Sequence, residues 1–185
     1  MSVPSRWGWL AVPLAAASWV GHAHPHHHVE QQAQLVVSET AVDLTLRIVP
    51  SIGEGASMFD ALDLDQDGVV SPAEGDAFAR EILRSAELST MGERIVFGRA
   101  TVEVPPRHVA SQGHGVIVVR ASAPLPSSGG TAPTLGFDVT YHRFSKTWFV
   151  QPFLDRGLAE AGASVAVDRE DGARVRVRIE EPSRR

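Results

Sequence analysis

Apolar and polar positions alternate along much of this chain. Val42, Leu44, Leu46 and Ile48 alternate with Asp43, Thr45 and Arg47, the pattern of an extended segment with one dry and one wet face. The preceding run, residues 29–37, is expected to pair with it through the turn Ser38-Glu39-Thr40. Further strands are predicted near residues 94–104, 116–123, 135–142 and 147–154. A final hairpin joins 164–167 to 173–180 through Arg169-Glu170-Asp171-Gly172. In its second arm Val175, Val177 and Ile179 face one way, and Arg174, Arg176 and Arg178 the other. About eight short strands with Gly/Pro-rich turns predict a mainly β domain, sandwich- or barrel-like. Residues 124–134 read as a flexible loop within it.

One segment changes period. Met58, Phe59 and Leu62 have helical spacing, as do Phe78, Ile82 and Leu83 further on. Ser71-Pro72-Ala73-Glu74 reads as a helix start, with Ser as N-cap, Pro at the first helical position and Glu at the third. A helix–loop–helix over residues 57–88 is therefore expected, inserted between strands two and three.

The loop itself carries chemistry. A hard cation takes six to eight oxygens, and a twelve-residue loop supplies them from alternate positions. Asp63, Asp65 and Asp67 occupy positions 1, 3 and 5, and Gly68 stands at 6, where the chain turns sharply. Val69 at 7 offers a backbone carbonyl, Ser71 at 9 acts through a water, and Glu74 at 12 is long enough to bind bidentately. Four carboxylates crowded together repel one another unless a cation lies between them. The segment resembles the EF-hand calcium-binding family, with no departure at a ligand position. That resemblance implies Ca2+ as cofactor and a partner for Val70, at position 8. EF-hands usually pair and no second loop is present, so Val70 is covered either by the β domain or by another chain.

Composition narrows the setting. Of 185 residues, the first 23 hold one charged side chain, Arg6, then an apolar run over 7–20 and Gly21-His22-Ala23. This is the pattern of an export signal cleaved after Ala23; as a helix of about 20 Å the run is too short for a hydrocarbon core of about 30 Å. An uncleaved anchor is the alternative. Residues 24–185 then form a single domain, without a later membrane span, in the periplasm or outside the cell. Cleavage removes one of 17 basic and none of 22 acidic side chains, leaving 16 against 22 and a net charge of −6. With no basic stripe, nucleic acid is not an expected partner. The absence of Cys excludes disulfides and thiolate metal sites.

Cleavage would leave His24 at the start, followed by Pro25, His26, His27 and His28. A terminal amine and imidazole on one residue can chelate Cu2+ or Ni2+. Pro25 has no amide N–H, which excludes the chelate that deprotonates the second residue's amide. The competing reading is a solvated His-rich tip. His108, His114 and His142 read as ordinary surface or strand residues, although His142 could approach the tip in a folded sandwich. Five aromatic residues between Tyr141 and Phe153 read as core.

The layout of Ala23-His24-Pro25-His26, the strand at 42–48 and the loop at Asp63–Gly68 resembles small periplasmic proteins associated with nickel/cobalt transport permeases. That resemblance implies an accessory role in handling Ni2+, Co2+ or Cu2+ beside a membrane permease. Two other functions stand against it: a copper-dependent redox enzyme using an N-terminal histidine brace, and a purely structural calcium domain. No Cys nucleophile, G-x-S-x-G or H-E-x-x-H pattern is present. A binding protein, not an enzyme, is the expectation.

Overall fold

The computed structural model describes residues 28–126 and 134–180. The expected export signal lies outside these residues, as do His24, His26 and His27. Among the described residues, ten strands form two sheets of five. One runs in the order β5 (Thr101–Glu103), β6 (Ile117–Pro124), β2 (Ala41–Val49), β1 (Glu30–Val37), β8 (Phe149–Leu154). The other runs β4 (Glu93–Ile95), β3 (Ala86–Thr90), β7 (Thr134–Val139), β10 (Arg174–Glu180), β9 (Ser164–Arg169).

The period-2 pattern explains the layering. Ala33, Leu35 and Val37 of β1 and Val42, Leu44, Leu46 and Ile48 of β2 face inward. They join Leu135, Phe137 and Val139 of β7 and Val175, Val177 and Ile179 of β10 in one apolar cluster. β1 and β2 are antiparallel, with Leu35 opposite Leu44, whereas β1 and β8 are parallel, with Leu35 opposite Pro152. Pro152 has no N–H to donate, and β8 is an edge strand, where that lack is tolerated.

Between β2 and β3 the chain forms α1 (Gly55–Asp60), a loop, and α2 (Pro72–Arg84). α2 begins as its sequence predicts. The Ser71 side chain accepts from the Glu74 N–H, and the Glu74 carboxylate accepts from the Ser71 N–H. Its inner face carries Phe78, Ala79 and Ile82. Phe78, Tyr141 and Phe144 stack mutually at 5.9–6.2 Å, which seats α2 on the end of the sandwich.

Several expectations need correction. The second helix stops at Arg84; residues 86–90, expected largely inside the helical insertion, form β3, with Ala86, Leu88 and Thr90 buried. Residues 94–104 are not one strand. They supply β4 to one sheet and β5 to the other, because the chain crosses between layers through Phe97 and Gly98. Two short helices, α3 (Arg107–Ala110) and α4 (Arg156–Glu160), were not expected. The aromatic run is core only in part. Tyr141 and Trp148 are buried, but Phe149 and Phe153 are 48% and 46% exposed on the outer face of β8. No described helix is long and apolar enough to cross a membrane.

Candidate metal centre

The loop between α1 and α2 is built from its own carboxylates and amides. Asp63 accepts from the Asp67 N–H at 3.2 Å and the Gly68 N–H at 2.9 Å. Asp65 accepts from Asp67 N–H at 3.2 Å, and Asp67 from Val69 N–H at 2.8 Å. The Asp65 and Asp67 bonds reach two residues on, turns in which an Asp side chain substitutes for a backbone acceptor, whereas the Asp63 bonds reach four and five residues on and close the loop. Gln66 (φ 63°) and Gly68 (φ 88°) take the left-handed conformation that tightens the loop. The result brings carboxylate oxygens of Asp63, Asp65 and Asp67 within 4.8 Å of one another. Asp63 is 3% exposed, and among the described residues no Lys, Arg or His forms an ion pair with any of the three. Amides are the hydrogen-bond partners of the Asp63 carboxylate, and the Arg107 guanidinium attracts it through space; three carboxylates so placed offer the oxygen donors that a hard cation takes.

Glu74 is placed differently from the three aspartates. Oε1 accepts from the Leu64 and Asp65 amides, and Oε2 accepts from the Ser71 N–H and hydroxyl, both at 2.8 Å. The bonds from Ser71, foremost, hold this carboxyl below its ordinary pKa. Its roughly four accepting positions are thereby filled. Glu74 thus ties the end of the loop to its beginning without joining the aspartate group. Ser71 is committed to the helix cap. Val69 is 63% exposed, and Val70 is partly buried against the domain's own core. Beside them a cleft of about 630 Å³ separates the loop from Val102, Val104 and Pro105.

Two arginines fix the frame, and neither was legible beforehand. Arg107 of α3 holds Asp60, the last residue of α1, through two bonds of 2.8 and 3.0 Å, and this lowers the Asp60 pKa. Arg143 donates to the Ala61 carbonyl at 3.2 Å and to Glu81 of α2 at 3.2 Å. These pairs span 47, 82 and 62 positions, so no local pattern announces them. Gly55 lets α1 and α3 touch, since a Cβ there would lie 1.8 Å from the Ala110 carbonyl oxygen.

Of the candidate transition-metal ligands, His28 is the one described; it is exposed, just before β1. His108, His114 and His142 are also exposed, and among the described residues no histidine belongs to a group of three metal-competent side chains. Comparison of the chain with protein-family models, with characterised proteins and with solved structures returned no match.

Proposed function

We propose that this protein is an exported calcium-binding protein whose loop of residues 63–74 acts as a single EF-hand, and that its histidine-rich start handles a transition ion. One observation carries the calcium reading: the convergence of Asp63, Asp65 and Asp67, held by the loop's own amides, with no cationic side chain paired to them among the described residues. Val69 would add its carbonyl, Ser71 a water-mediated contact and Glu74 its carboxylate. Coordination by Glu74 would exchange existing hydrogen bonds for bonds to the ion, because its accepting positions are already used.

Loops of this kind outside cells bind calcium with dissociation constants around 10⁻⁴–10⁻³ M. At millimolar calcium the loop would be largely filled, which suits a structural role that joins α1 to α2. The partly buried Val70 supports a loop that functions alone, its position-8 residue met by the domain itself. The transition-metal role rests on His24, His26, His27 and His28, with Ni2+, Co2+ or Cu2+ as cargo and a membrane permease as partner.

Calorimetric titration of the chelator-treated chain tests this reading. One calcium per chain, lost in Asp63→Asn/Asp67→Asn, is expected. No binding up to about 10 mM calcium, well above that range of dissociation constants, would overturn it.

A further inference from the structure

A groove lies between α2 and the chain that crosses from one sheet to the other, residues 94–106. Its three parts share lining residues. The cleft of about 630 Å³ beside the loop meets a hollow of about 260 Å³ at Asp76, Arg99 and Ala100. That hollow meets another of about 270 Å³ at Arg80, Leu83 and Gly98. The groove therefore follows α2 from Pro72 to Arg84, 13 residues, a length of about 20 Å. An extended chain rises about 3.3 Å per residue, so about six residues would fill it.

The floor is apolar. Gly75 and Ala79 of α2 are buried, and a Cβ on Gly75 would lie 3.5 Å from that of Val102. Leu83, Phe97 and Ala100 continue the floor and pack against the core. The rim is basic. Arg80 and Arg84 stand on the helix wall and Arg94 and Arg99 on the crossing chain, all exposed. The one acidic side chain in the lining is Asp76, 4.0 Å from Arg99. Among the described residues Arg80, Arg84 and Arg94 form no ion pair. Arg84 suits the C-terminal end of α2, where a cation meets the helix dipole, but Arg80 and Arg94 serve no such end. A cationic rim on a chain of net charge −5 calls for an anionic occupant.

One wall adds backbone groups. Residues 96–100 belong to no strand, and among the described residues their single backbone hydrogen bond runs from the Gly98 N–H to the Ser122 carbonyl at 2.8 Å. The other N–H and C=O groups of this stretch have no protein partner, which leaves them free to pair with an added strand. A lipid or another amphipathic acid would use the floor and the arginines but not that wall.

We propose that this groove binds an extended peptide of a partner protein in which apolar and acidic residues alternate. Successive side chains of a strand point to opposite faces, so the apolar set lies on the floor and the carboxylates point outward between the arginines. Its backbone pairs with residues 96–100, which adds a strand beside the crossing chain. This goes beyond the calcium and transition-metal readings and requires neither.

The probe is a capped hexapeptide of alternating valine and glutamate carrying a neutral dye, its anisotropy followed as the processed chain is added at constant calcium. The comparison peptides replace glutamate by lysine, or carry N-methyl groups on alternate amides. The glutamate peptide should bind, more weakly at about 0.5 M than at about 0.05 M salt, and both comparison peptides should bind at least tenfold more weakly. These comparisons need no variant. Arg80→Glu/Arg94→Glu should then weaken binding of the glutamate peptide by about tenfold or more, with an unchanged melting temperature. Arg178→Glu, an exposed position on β10 with no ion pair among the described residues, should leave it unchanged. No binding by wild type, or equal binding by wild type and the Arg80→Glu/Arg94→Glu variant, would overturn the proposal. So would binding to phosphatidylglycerol vesicles through the same two arginines with no binding of the peptide.

Discussion

Replacing Asp65 by Asn is the mildest way to remove a ligand from the loop. Asp65 is exposed, and its side chain accepts one intra-loop bond, from the Asp67 N–H at 3.2 Å. The carboxamide oxygen of the Asp65→Asn variant keeps that acceptor, so the calcium-free fold should change by less than about 0.5 kcal/mol. Asp63→Asn is less clean, because both Asp63 oxygens accept amides and an Asn NH₂ would confront one of them. In about 5 mM calcium, a dissociation constant of about 10⁻⁴–10⁻³ M gives the wild type roughly 1–2.3 kcal/mol of linked stability. For a chain of this size that is roughly 2–9 °C in melting temperature. A tenfold loss of affinity in Asp65→Asn reduces the gain by about 1 kcal/mol, leaving roughly 0.2–1 kcal/mol.

The assay is a fluorescence melt of the processed chain, in which Trp148 is the sole tryptophan once residues 1–23 are removed. Trp148 is 1% exposed, so unfolding changes its surroundings completely. Wild type and variant should melt together in chelator and separate by roughly 2–4 °C in calcium. Equal calcium shifts in the two proteins, or no shift in either, would refute the reasoning.

Three further outcomes follow from the geometry. Glu74→Gln should lower the melting temperature by a few degrees even in chelator, since an NH₂ would face the donors that now meet the carboxylate at the α2 cap. The Glu74 pKa is lowered in the fold, so its contribution is present above its unfolded value near 4.5 and is lost as pH falls through the folded value. Urea unfolding from about pH 6 to about pH 3 should therefore be less pH-dependent in Glu74→Gln than in wild type. Gly55→Ala should destabilise by about 1–3 kcal/mol in urea and weaken calcium binding, because a Cβ there drives α1 from α3; Gly53→Ala, with open space around it, should do neither. Trp148→Phe should lose about 2–3 kcal/mol, followed by far-ultraviolet circular dichroism, through a cavity and the orphaned Tyr141 carbonyl.

Where alternation was strict, the sequence was legible. β1, β2 and β10 stand within two residues of their expected bounds, because a one-residue slip would turn every buried side chain outward. The α2 cap was legible for a similar reason: Ser71, Pro72 and Glu74 satisfy a local hydrogen-bond requirement. β3 was hidden by its neighbour. Ala86, Leu88 and Thr90 alternate, but they follow an amphipathic helix after a single residue and read as its continuation. The parallel β1–β8 pair is set by partners more than a hundred positions apart and has no local signature. At the loop, the aspartate spacing foretold the cluster, because Asx-type turns are decided within a few residues. The bonds that Glu74 accepts from Leu64 and Asp65 span ten and nine positions and lay beyond that reach.

A crystal structure of the processed chain grown in about 10 mM calcium, with anomalous data collected at long wavelength, tests the central claim most directly. The account predicts one calcium peak bounded by Asp63, Asp65 and Asp67, with ligand oxygens at about 2.3–2.6 Å and Glu74 turned onto the ion. An ordered loop with no anomalous peak, and with Glu74 still bonded to Leu64, Asp65 and Ser71, would contradict it.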